Sequence, residues 1–201
     1  MTDMDFDNPP ADPVAQVQCW LEVAATTALI NPHAMSLATV DPDGSLSLRT
    51  VLLKGFDERG AVFYTNRRSR KGVALDSGSP AALLLYWDSL LRQISIEGSV
   101  SHVDDADSDA YFASRPRGAQ LGAWASSQSQ PVESRAAIEA AVAEAARRFE
   151  GAPVPRPPHW GGYRVALQRI EFWQGRLDRV HDRAIYTRDA QGGWAIERLS
   201  P

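Results

Sequence analysis

A chain of 201 residues, 44% hydrophobic and 23% charged, is long enough for one globular domain and too apolar for a disordered one. Its formal charge of −4 argues against nucleic-acid coating as a main role, and its single cysteine, Cys19, permits no internal disulfide. The acidic start over 1–5 lacks the layout of a signal peptide and no apolar run approaches bilayer length, so the expectation is a soluble cytoplasmic protein engaging neither nucleic acid nor membrane.

Residues 1–13 are acidic and proline-rich and read as a loose arm, which leaves a single domain over 14–201. Apolar spacing at Val17, Trp20, Leu21, Ala24 and Ala28 predicts a helix over 14–30, with Asp12 or Pro13 near its start. Beyond Pro32 the pattern turns to strands: one over 34–40, a turn at Asp41-Pro42-Asp43-Gly44, and a return over 45–54. A turn at 57–60 leads to a strand over 61–65, and a basic loop over 66–71 enters a short helix through Leu75. Strands over 80–87 and 91–100 form the next pair.

The second half opens at Asp104 and Asp105, acidic residues that favour a helix start, and the helix runs toward Ser114 until Pro116 and Gly118 break it. The clearest helix is 134–149, with Ile138, Val142, Ala145 and Phe149 on one face. A proline-rich connector over 153–158 precedes strands over 163–170, 179–187 and 194–199. Short antiparallel strands with a few helices predict an α+β fold, a small barrel or sandwich.

Several chemistries are missing. The chain has no phosphate-binding P-loop, no G-x-G-x-x-G after a strand and no G-x-S-x-G elbow, and its four histidines lack metal-ligand spacing. Phosphate, if bound, must therefore be held by side chains and helix ends. Four cations in Arg67-Arg68-Ser69-Arg70-Lys71 could do this, or could be a solvated loop or a nucleic-acid patch. Only two of the 21 basic residues are lysines, Lys54 and Lys71. Arg49 and Lys54 bracket an apolar run with opposite parity, so either Lys54 lies past the strand end or a bulge intervenes.

Read as a strand, Arg179, His181 and Arg183 share one face, an arrangement that suits a planar anion and equally an exposed edge. Tyr111 and Arg115, four apart, share a helical face. Trp173 reads as core or as a ring-binding residue, and Gln93, Gln128 and Ser129 as amide-ring partners or ordinary surface.

Taken in order, the segments RTVLLK (49–54), FYTN (63–66), SRKG (69–72), Arg92-Gln93, YFASRPR (111–117), QLGAWAS (120–126), Gln128-Ser129, WGGYRV (160–165), IEFWQG (170–175), RVHDR (179–183) and the final RLSP resemble the pyridoxamine 5′-phosphate oxidase family. The likeness runs from Pro10 to Pro201. It implies an antiparallel FMN-binding split β-barrel with peripheral helices, working as a homodimer with FMN at the subunit interface. Arg49, Thr50, Val51, Leu52, Leu53, Lys54, Tyr64, Thr65, Arg70, Lys71 and Gln93 would hold FMN from one side. Gln128, Ser129, Trp173 and Arg183 would complete its site.

Lys54, Tyr111, Arg115, Arg179 and His181 would contact substrate, the first three gathering its phosphate, with Arg179 and His181 as the catalytic pair. Ala119 stands where the family often has a serine on that phosphate. The implied reaction oxidises pyridoxine or pyridoxamine 5′-phosphate to pyridoxal 5′-phosphate by hydride transfer from C4′ to FMN N5, with O2 reduced to hydrogen peroxide. The alternatives are a flavoprotein of the same barrel acting on another substrate, such as a phenazine precursor, or a non-catalytic carrier of flavin or pyridoxal phosphate.

Overall fold

The computed structural model describes residues 4–201. Helix α1 (Pro13–Ala25) begins where Asp12 accepts a hydrogen bond from the Val14 amide and Pro13 supplies a first residue that needs no donor. It is followed by β1 (Ala34–Val40), β2 (Leu46–Leu52), β3 (Gly55–Asp57), β4 (Gly60–Asn66) and α2 (Arg70–Asp76). Next come β5 (Ala81–Trp87), β6 (Arg92–Gly98), β7 (Val100–His102), α3 (Asp105–Ser114), α4 (Arg117–Ala125) and α5 (Arg135–Arg148). The chain closes with β8 (Trp160–Val165), β9 (Arg169–Gln174), β10 (Asp182–Arg188) and β11 (Trp194–Leu199).

The strands form two antiparallel sheets, one ordered β11-β10-β9-β6-β5-β1-β2 and the other β3-β4-β8-β7. The inner face of the larger sheet, including Met35, Leu37, Leu83, Leu85, Ile94, Ile96, Phe172 and Tyr186, shares one core with Phe63, Tyr163 and Val165 of the smaller. Helix α1 seals it with Val17, Trp20, Leu21 and Ala24, the Trp20 ring standing edge-on to Phe172 at 5.3 Å. A second cluster of Phe112, Leu121, Ala145, Val154 and Trp160 packs α3, α4 and α5 beside β8.

Several elements depart from the sequence expectations. Among the described residues of the segment read as a loose arm, Met4 and Phe6 are buried in the core, Asp7 pairs with Arg198, and the Pro10 carbonyl accepts from Tyr186; residues 1–3 lie outside the description. Acidic composition hid two apolar anchors. Helix α3 ends at Ser114 as expected, but a further helix not expected from the sequence, α4, starts directly after it with Pro116 at its N-cap. The strand expected over 163–170 is two strands, interrupted where the 166 and 168 amides bond back to Ser99 and Glu97.

Candidate functional site

A cavity of about 700 Å³ opens beside edge strand β2, lined by Thr50, Val51, Leu52 and Lys54, by Tyr64, Thr65 and Asn66 of β4, by Lys71, and by the α3–α4 corner. Lys54 lies past the end of β2, which resolves its parity against Arg49. Its ammonium stands 5.9 Å from the centre of the Tyr111 ring. Tyr64, Tyr111 and Trp160 stack nearly parallel, with Tyr64 4.2 Å from Tyr111 and 5.4 Å from Trp160. Gly162 is the cross-strand partner of Tyr64, and a Cβ there would come 2.7 Å from the Tyr64 ring. The second glycine of the WGGYRV segment thus makes room for the stack, while a Cβ at the first, Gly161, would meet the Arg67 guanidinium.

Arg115 follows the last residue of α3 in an extended conformation rather than sharing its helical face with Tyr111. It still reaches the cavity, and one of its terminal nitrogens is buried without a hydrogen-bond partner. Ala119 also lines the wall and offers no hydroxyl.

At the other end of the cavity Lys71 donates to Gln128 Oε1 at 3.0 Å, Ser69 Oγ at 3.2 Å and Thr65 Oγ1 at 3.4 Å. These are neutral oxygens, and among the described residues no carboxylate pairs with this ammonium. Burial pushes it below its ordinary value, and the neighbouring Arg49 adds to the effect. Arg70 is oriented differently: its guanidinium bonds Asp41 at 2.7 Å, and its amide donates to Ser129 Oγ at 3.1 Å. The guanidinium's hydrogen bond holds the Asp41 carboxyl below the usual range.

Two residues of the 49–54 run do not line the cavity. Arg49 faces the inner side and donates to the Leu37 carbonyl and Thr39 Oγ1, while Leu53 is buried in the core.

The remaining expected residues gather elsewhere. Register places Gln93, Trp173 and Arg183 in one cross-strand row of β6, β9 and β10, on the face opposite Ile94, Phe172 and Ala184. Gln93 therefore groups with Trp173 and Arg183, whereas Gln128 and Ser129 belong with Lys71 and Arg70, the reverse of the expected division. Arg183 is held by Glu171 at 2.8 Å. Trp173 is partly exposed, so it is not plain core, and its ring lies 4.7 Å from that of His181.

The expected strand through 179 begins only at Asp182. Arg179 instead ends a 3-10 turn with φ of 62°, next to Asp178 at 55°. This left-handed pair turns the Arg179 backbone away from the strand line. His181 accepts a hydrogen bond from the Arg176 amide on Nδ1.

This second group does not line the cavity. Its strand residues Gln93, Trp173 and Arg183 lie on the same outer face of the larger sheet as Thr50 and Leu52, three to five strands away. At about 4.8 Å per strand that is roughly 14–24 Å. Between and beside the two groups the face carries exposed Leu46, Leu48, Leu52 and Tyr86.

Sequence reasoning did not single out Trp160, Asn66, Gly122, Ala123 or Ser126 as wall residues, nor Asp41 as the partner of Arg70. Only the WGGYRV segment carried a signal for Trp160, and aromatic residues beside glycines read first as core.

Residues 21–149 match the family described as pyridoxamine 5′-phosphate oxidase, and residues 160–201 match the pyridoxine 5′-phosphate oxidase C-terminal dimerisation region. A pyridoxine/pyridoxamine 5′-phosphate oxidase of Rubrobacter xylanophilus is 56% identical over 97% of this chain and 89% of its own length. One from Bordetella petrii is 54% identical over 97% and 92%. Among solved structures, PhzG from Burkholderia lata 383, in complex with tetrahydrophenazine-1-carboxylic acid, superposes with a TM-score of 0.92 at 34% identity, covering 100% of this chain and 98% of that one.

Proposed function

The chain belongs to the pyridoxamine 5′-phosphate oxidase family, and from that premise we propose that it oxidises pyridoxine or pyridoxamine 5′-phosphate to pyridoxal 5′-phosphate, with FMN as cofactor and O2 as final acceptor. The observation that carries this reading is a cavity with a cation at each end, Lys71 and Arg115, neither of which has a carboxylate partner among the described residues. Lys71 is half-buried among neutral oxygens, and Arg115 keeps a buried donor unfilled. A buried cation without a countercharge costs free energy unless an anion arrives. Two phosphates, one on cofactor and one on substrate, match two such ends.

The residues present fit FMN. Lys71, Arg70, Ser129 and Gln128 would hold its phosphate, and Thr50, Val51 and Leu52 would lie along the ring system. When bound, the flavin supplies the two-electron acceptor and passes the electrons to O2.

Lys54, Tyr111 and Arg115 gather the substrate phosphate by charge-assisted hydrogen bonds. The aromatic stack excludes water from that end and fixes the Tyr111 hydroxyl. Arg179 covers the pyridine ring and holds C4′ in reacting geometry. His181, whose Nδ1 is engaged by the Arg176 amide, presents Nε2 toward substrate and orients it or holds a proton there.

The active unit is a homodimer in which the cavity of one copy meets the Gln93–Trp173–Arg183 row and the Arg179–His181 segment of the other. A two-fold axis parallel to the outer sheet face, midway between the groups, superposes each on its complement. The match of residues 160–201 to a dimerisation region supports this arrangement, since that segment carries most of the second group. Closure of the two sheets into a split barrel agrees with their shared core.

The test is the absorbance spectrum of the purified protein before and after anaerobic addition of pyridoxine 5′-phosphate. The expected result is a flavin spectrum that bleaches. A flavin spectrum that stays unchanged would reject the substrate and favour a carrier or another oxidase of this fold.

A further inference from the structure

We propose that Trp160 is a positioning residue for substrate phosphate, holding the Arg115 guanidinium aimed into the cavity with its donors unspent. The proposal rests on the reading that Arg115 binds that phosphate.

The Arg115 guanidinium carbon lies 4.8 Å from the Trp160 ring and 5.5 Å from that of Phe112. Among the described residues no carboxylate pairs with it, and one terminal nitrogen is buried without a partner. A guanidinium taken out of water normally meets a carboxylate, which satisfies its donors and cancels its charge. An aromatic face does neither. It attracts the cation through the ring quadrupole and leaves the N–H groups free. The Trp160 indole therefore stabilises the charge in place while keeping the fork available for an incoming dianion.

Trp160 is itself held rigidly. It is 5% exposed, lies edge-on to Phe112 at 5.1 Å, and stacks in line with Tyr64. Its carbonyl accepts from Arg156 Nη1 at 2.7 Å, and Arg156 also bonds Asp105 at 2.9 Å and Asp109 at 2.5 Å. Both aspartates sit on α3, the helix whose far end leads into Arg115. One arginine thus ties the strand that carries the indole to the helix that delivers the guanidinium. The backbone at Arg115 is further restricted by Pro116.

The experiment compares flavin-loaded wild type with Trp160→Leu, Trp160→Phe and Arg115→Ala. It measures kcat, KM for pyridoxine 5′-phosphate, and the dissociation constants of pyridoxal 5′-phosphate and pyridoxal. Trp160→Leu is expected to raise KM and weaken pyridoxal 5′-phosphate about 5- to 30-fold, with kcat and pyridoxal binding within about twofold. Trp160→Phe keeps a smaller π face and should recover most of the loss. Should Leu loosen the fold, Trp160→Met fills the site without a π face and gives the same reading.

An unchanged KM in Trp160→Leu, or equal weakening of pyridoxal and its phosphate, would overturn the proposal. If Arg115→Ala also leaves the preference for phosphate intact, the parent assignment of Arg115 fails. If Arg115→Ala abolishes that preference while Trp160→Leu does not, only the role of Trp160 fails.

Discussion

The cavity beside β2 and the Arg179–His181 segment are built to opposite specifications. In and beside the cavity each candidate side chain is braced by neighbours: Lys71 by three oxygens, Arg70 by Asp41, Tyr111 by a stacked Tyr64, and Arg115 by two aromatic faces. At the far side Arg179 is itself left-handed, at the end of a turn beside exposed Leu177 and Val180. One half of the proposed site is pre-organised within the chain, and on the homodimer reading proposed above the other takes its surroundings from a second copy. In that reading the preorganised groups supply affinity, whereas the exposed half positions the reacting atom only once the dimer is formed.

The sharpest way to separate these halves is Arg179→Ala. Turnover should fall on the order of 100-fold or more, the scale of lost orientation, while flavin content stays near that of wild type. Near-normal turnover would remove Arg179 from the reacting centre. The next effect is on assembly. Leu48 is 71% exposed on the outer face of β2, and Leu48→Glu puts a charge where a second copy is expected. Size-exclusion chromatography should show the dimer weakened and flavin lost with it. A flavin-loaded monomer would break the comparison.

A smaller effect is expected at Lys71→Met, which removes a charged hydrogen-bond donor of about 1.5–3 kcal/mol. Flavin affinity should fall roughly 10- to 100-fold, with KM for substrate little changed. The pH dependence follows in sign. Burial holds the Lys71 ammonium below its ordinary value of 10.5. In the flavin-free protein the unfolded chain therefore binds more protons between that depressed value and 10.5, so stability rises with pH across this window. A bound phosphate dianion raises the value again, so binding takes up a proton. Flavin affinity should fall as pH rises through the depressed value, and Lys71→Met should flatten the fall.

Local patterns carried much of the fold. The alternation over 34–40 and 194–199 matches β1 and β11 residue for residue, and Asp12 caps α1 as its side-chain chemistry suggests. What escaped were features decided at a distance. The buried Met4 and Phe6 have no periodic partner to announce them, and the break between β8 and β9 is set by hydrogen bonds to residues 97 and 99. Most of the cavity was legible because its residues come from contiguous motifs, RTVLLK, FYTN and SRKG. The grouping of Gln93 with Trp173 was not, since it depends on which strand lies beside which. Trp160 escaped because its role is to hold Arg115, and a supporting aromatic has no local signature apart from core.

The central claim is that each site takes residues from two copies, and complementation tests it most directly. Arg115→Ala and Arg179→Ala chains, each with a different tag, are co-expressed, and mixed dimers are isolated and assayed at limiting substrate. In a statistical mixture half of the dimers are mixed, and each of these has one site free of both substitutions, so about a quarter of all sites are restored. Recovered activity in the mixed dimer, absent from either parent, is the expected result. Tag-verified mixed dimers with no more activity than their parents would contradict the account.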